Sequence, residues 1–64
     1  MTETEKKRLR HLLARFEGVR HNSVEIIQAE SFTGIKRKVY AKIRGFKFGY
    51  VFENDNVVES WAVV

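Results

Sequence analysis

The sequence predicts an α+β fold, one N-terminal helix packed on a four-stranded antiparallel β-meander in the order α-β-β-β-β. Three observations carry this expectation. Apolar residues recur at helical spacing over residues 2–17 and stop at a glycine. Apolar and polar residues alternate with a period of two over residues 35–52, around a central Arg44-Gly45. Two further segments, 24–31 and 57–64, are rich in Val and Ile and set off by turn-forming residues.

The helix is justified at both ends. Thr2 and Glu5 have the spacing of a capping box, in which each side chain satisfies an orphan amide of the first turn. Leu9, Leu12, Leu13 and Phe16 fall at i, i+3, i+4 and i+7 and form one apolar stripe. Glu3 and Lys7 are spaced for an i,i+4 ion pair. Gly18 is placed to end the helix, because glycine enters the left-handed region at little cost. Lys7, Arg8, His11 and Arg15 lie away from the stripe as a basic outer face, whose ordinary role is solvation.

Residues 19–23 read as a connector and 24–31 as the first strand. With Thr33-Gly34 as a tight turn, Val24, Ile26, Gln28 and Glu30 pair with Ile43, Ala41, Val39 and Arg37 on one face. Glu25, Ile27 and Ala29 then pair with Lys42, Tyr40 and Lys38 on the other. A two-residue Arg44-Gly45 loop pairs Ile43 with Phe46, Ala41 with Phe48, Val39 with Tyr50 and Arg37 with Phe52. This apolar face is expected to meet the helix stripe. The opposite face carries Lys36, Lys38, Tyr40, Lys42, Lys47, Gly49 and Val51, with Tyr40 expected to lie across Gly49. Residues 53–56 form a polar turn. In the last strand, burying Trp61 removes the most apolar area from water. The expected register therefore puts Val57, Glu59, Trp61 and Val63 on the phenylalanine face, with Arg37 as the partner of Glu59.

Length and composition bound the rest. The 64 residues suit a single small domain, 1–64, which buries only about 60% of its unfolded surface. There is no cysteine, so neither a disulfide nor a thiolate metal site can staple it. The core alone supplies roughly 3–5 kcal/mol at most. No run is long and apolar enough to span a bilayer, and MTETEKKRLR lacks the apolar stretch of a signal peptide. A cytoplasmic protein without a membrane partner is expected. The net charge of +4 biases encounters toward polyanions.

Catalytic chemistry has little material. The two histidines, His11 and His21, read as solvated surface groups, and any triad drawn from Ser23 or Ser31 is arbitrary in so short a chain. Glu53, Asp55 and Glu59 are too scattered for a metal site. Gly45 and Gly49 form no phosphate loop, since no helix follows them. A chain this small is also expected to lack room for a substrate pocket. The expectation is a non-enzymatic protein with no cofactor, no metal and no small-molecule substrate.

Two binding surfaces remain. Lys36, Lys38, Tyr40, Lys42, Arg44 and Lys47 are candidates for nucleic-acid binding, because cations around an aromatic supply phosphate neutralisation and a base-stacking surface. The plainer reading is a solvated strand face whose lysines pair with Glu25 and Glu53. The alternative is a protein-interaction or homodimerisation module using the open sheet face or the C-terminal edge strand. Its candidate residues are Ile27, Val51, Val58, Ala62 and Val64, since exposed apolar surface and open edges attract partners. The order α-β-β-β resembles the opening of a double-stranded-RNA-binding domain, although a fourth strand stands where that family has its closing helix. No residue motif accompanies the order, and no function is carried across.

Overall fold

The computed structural model describes residues 2–63, with all their side chains except those of residues 31–33. Helix α1 (Glu3–Glu17) starts where the capping pattern places it. The Glu5 amide donates to Thr2 Oγ1 at 3.1 Å. Gly18 ends the helix with φ 70° and its amide donating to the Ala14 carbonyl. A 3-10 turn over His21–Ser23 leads into β1 (Val24–Thr33), β2 (Lys36–Ile43), β3 (Phe46–Glu53) and β4 (Asn56–Ala62). The strands form one antiparallel sheet in chain order, so the α-β-β-β-β layout is the observed one.

The central ladder has the expected register throughout, from Lys36 opposite Glu53 to Ile43 opposite Phe46. Arg44 (φ 54°) and Gly45 (φ 83°) both have positive φ, the signature of the type I′ turn that matches strand twist in a two-residue hairpin. The first turn is displaced from expectation. Thr33 pairs with Lys36, so the loop residues are Gly34 and Ile35 rather than Thr33 and Gly34.

Both outer strands depart from a simple alternation. β1 keeps the expected pairs Val24–Ile43, Glu25–Lys42 and Ile26–Ala41, then bulges at Ile27, so that Gln28 meets Tyr40 and Ala29 meets Val39. The bulge moves Gln28 off the helix side and brings Ala29 in against the core. A strict alternation would have buried Gln28 and Glu30 without partners, which costs more than one interrupted ladder bond at an edge. β4 pairs Phe52 with Val57, then slips at Val58, so that Val51 meets Glu59, Gly49 meets Trp61 and Phe48 meets Ala62. The expected register of the last strand is thereby corrected. Trp61 and Glu59 lie on the open face, away from the helix.

The core joins Leu9, Leu13 and Ala14 of α1 to Val24, Ile26, Val39, Ala41, Ile43, Tyr50 and Phe52. Tyr50 crosses from sheet to helix, and its hydroxyl donates to Glu17 Oε1 at 3.3 Å. Burial first, and the nearby Glu17 carboxylate second, push the Tyr50 phenol well above the usual tyrosine range. Among the strands α1 lies closest to β1, and it leaves the start of β3 uncovered. As a result Phe46 is 70% exposed and Phe16 50% exposed, although both were expected inside. Ala14 takes the buried place on α1 that the apolar stripe assigned to Phe16.

Candidate nucleic-acid interface

Alternation along β2 and β3 fixes the membership of the open face. Val39, Ala41 and Ile43 point into the core, so Lys36, Lys38, Tyr40 and Lys42 point away from it. The ladders arrange this face in rows. Nearest the Arg44-Gly45 turn, Glu25, Lys42 and Lys47 lie side by side, and the Val63 amide continues the ladder by donating to the Lys47 carbonyl at 2.9 Å. The next row holds Gln28, Tyr40, Gly49 and Trp61, and the third Glu30, Lys38, Val51 and Glu59. The last row contains Lys36, Glu53 and Asn56.

The second row is an aromatic pair built on a glycine. A Cβ at Gly49 would overlap the Nε1–Cε2–Cζ2 edge of the Trp61 indole, so only glycine lets the ring settle onto the sheet. Tyr40, expected to cover Gly49, instead meets Trp61 edge-on, with ring centroids 6.2 Å apart and planes at 87°. Such a T-shaped arrangement places the positive edge of one ring against the negative face of the other.

The charge on this face is balanced: Glu25 and Glu53 are there as expected, and Glu30 and Glu59, expected on the helix side, join them. Lys36, Lys38, Lys42 and Lys47 share it with Glu25, Glu30, Glu53 and Glu59. Bulges and register bring Glu30 and Glu59 to one row, two steps from the Arg44-Gly45 turn, while Glu25 sits beside Lys42 in the row nearest the turn. The net +4 of the chain therefore resides on the helix, the connector, the helix-facing side of the sheet and the turns. Within the open face the positive charge is concentrated at one end. Lys42 and Lys47 are directly opposite each other, an arrangement that costs stability, and Arg44 extends the cluster at the turn. Among the described residues, none of these three forms an ion pair. Arg44 also occupies a left-handed position that Asn, Asp or Gly fills at less cost.

The apolar candidates are not brought together. Ile27 and Val58 are exposed residues at two of the three bulges, on opposite edges of the sheet. Val51 is on the open face but buried, and Ala62 faces the helix side opposite Phe48. Val64 lies outside the described residues. Among the exposed apolar residues, Phe16 and Phe46 lie on the helix side, near the Phe48 and Tyr50 rings.

The basic outer face of α1 is also rearranged. Arg8 is tied to Asp55 in the β3–β4 turn, and Arg37 donates to Glu5 Oε2 at 2.9 Å. Arg37 thus pairs across the core side with α1, because Glu59 is on the other face. Glu3 lies 3.9 Å from Lys6 in an i,i+3 pair instead of reaching Lys7. His11 and His21 stack at 4.5 Å. The two ion pairs line a 410 Å³ cleft with Leu9, Leu12 and Ile35. Its volume lies within the range of small-molecule sites, contrary to expectation. The charged groups in it are engaged in holding α1 to the strand ends. Among the described residues no three His, Asp or Glu side chains converge as metal ligands, and no helix is long and apolar enough to cross a membrane.

Sequence reasoning missed Trp61 as a member of the open face. The signal for it was Gly49, since a glycine inside a strand marks a close approach of another group. No protein-family model, curated protein or solved structure matches the chain.

Proposed function

We propose that the protein is a non-enzymatic, cytoplasmic binding module that holds nucleic acid on the turn end of its open sheet face. The observation that supports this reading is the opposed pair Lys42 and Lys47, beside Arg44 and one row from Tyr40 and Trp61. Three unpaired cations attract phosphates, and the adjacent aromatics offer a surface for bases. Two local costs, like charges face to face and an arginine in a left-handed turn position, are tolerated at this one place. Lys36 and Lys38 contribute less, because Glu53 and Glu30 oppose them with no second cation alongside, whereas Lys42, opposite Glu25 on one side, is reinforced by Lys47 on the other.

Lys47→Glu separates this reading from a merely solvated face. It replaces a like-charge pair with an opposite-charge pair, so thermal stability holds or rises. Affinity for an oligonucleotide at low salt falls by about tenfold or more, equivalent to the loss of at least one phosphate contact. Unchanged affinity, or no binding by the parent chain in fluorescence anisotropy, would refute the proposal.

A second reading, a protein-interaction module, is favoured by the exposure of Phe16 and Phe46. The helix side carries the cation excess, so an acidic partner fits this patch and a second copy, equally positive there, does not. Sedimentation velocity is expected to show a monomer. A dimer abolished by Phe46→Ser would overturn that choice of partner and establish self-association instead.

A further inference from the structure

We infer that the nucleic acid held on this face is single-stranded, and that duplex is disfavoured by the row beyond the aromatic pair, where Glu30 and Glu59 outnumber Lys38. The inference rests on the nucleic-acid reading above and narrows its ligand. Rows on one face of a strand are two residues apart, about 6.8 Å. The cations Lys42 and Lys47 therefore stand one such step from Tyr40 and Trp61, and two steps, about 14 Å, from Glu30 and Glu59.

A duplex presents two backbones across a major groove of about 12 Å. Seated with one backbone on Lys42 and Lys47, it brings the other over Glu30, Lys38 and Glu59, a row whose two carboxylates outweigh its one ammonium and repel phosphates. Its bases are also stacked on one another and unavailable to the indole. A single strand avoids both obstacles. Crossing β2 and β3 beside the turn, clear of Glu25 on β1, it keeps its phosphates on Lys42, Arg44 and Lys47 and turns its bases toward Trp61 and Tyr40. Neighbouring strands are about 4.8 Å apart, so the four-stranded face is about 14 Å wide and accommodates only a few nucleotides. Three phosphate contacts on a single strand predict a slope of about −2 when log affinity is plotted against log salt.

The test uses the full chain and its one tryptophan as reporter. Trp61 emission is followed on titration with oligo-dT, oligo-U and a blunt duplex of equal length at low salt. Both single strands are expected to quench Trp61 and to bind at least about tenfold more tightly than duplex, the difference between dT and U reporting preference for DNA or RNA. Equal or tighter duplex binding would overturn the inference and leave the nucleic-acid reading standing; no binding by any probe would remove both. A second variant tests the cause. Glu30→Lys with Glu59→Lys, both at exposed positions, is expected to raise duplex affinity and narrow the preference for single strands. An unchanged ratio in that variant would show that this row does not disfavour duplex.

Discussion

Eight consecutive pairs join β2 to β3, whereas β1 slips twice against β2 and β4 slips once against β3. The difference follows from position. A central strand has neighbours on both sides, so a one-residue slip would turn its whole apolar set to water. An edge strand has one neighbour and can absorb an extra residue as a bulge, losing a local ladder bond while choosing anew which side chains face the core. β1 uses this freedom to exchange Gln28 for Ala29 against the helix, and β4 uses it to set Trp61 on Gly49. The bulges also interrupt the two open edges, which discourages pairing with other chains. The rigid centre and the adaptable edges thus divide the work: the centre holds the core, and an edge completes the aromatic pair of the proposed site.

The sharpest way to break this division is at the centre. Phe52 is fully buried, and Phe52→Ala is expected to cost about 3–5 kcal/mol. That is comparable with everything the core supplies. Circular dichroism should show no cooperative unfolding transition at ambient temperature. Phe46→Ala, on the same strand and face but largely exposed, should stay within about 0.5 kcal/mol of the parent. Similar losses at the two sites would contradict the described cover of the helix.

Gly49→Ala probes the junction of centre and edge. The added methyl overlaps the indole, and relief by moving β4 or the ring is expected to cost about 1–3 kcal/mol. Trp61 emission should shift to the red, and oligonucleotide affinity should fall although no charge has changed. An unaltered spectrum would mean that the indole does not rest on Gly49.

A smaller effect comes with pH. The folded chain holds the Tyr50 proton at pH values where the unfolded chain has lost it, because burial and then the Glu17 carboxylate oppose ionisation. The unfolded state binds fewer protons above the ordinary tyrosine value, so stability present below about pH 10 declines as pH rises beyond it. Denaturant melts between pH 8 and 12 should show this decline, and Tyr50→Phe should flatten it. The last expected change is a gain. Arg44→Asn relieves the left-handed arginine and should stabilise the hairpin by roughly 1 kcal/mol. The same change should weaken nucleic-acid binding, a trade between stability and affinity that thermal melts and anisotropy read together.

Local patterning was enough to identify the helix with its Thr2 and Gly18 ends, the four strands in order, and the whole register from Lys36–Glu53 to Ile43–Phe46. Each of these is set by neighbours within a few residues or by one tight turn. It was also enough to find Lys42, Arg44, Lys47 and Tyr40 at one end of one face. It did not reveal Trp61 beside them, the presence of Glu30 and Glu59 on that face in addition to Glu25 and Glu53, or the exposure of Phe46. Those depended on where β1 and β4 bulge and on how far α1 reaches across the sheet. A bulge shifts the phase of every residue after it, and its position is decided by what the neighbouring strand leaves open, here the bare surface at Gly49. That information resides in contacts between segments distant in the chain, so it became legible only once the sheet was assembled.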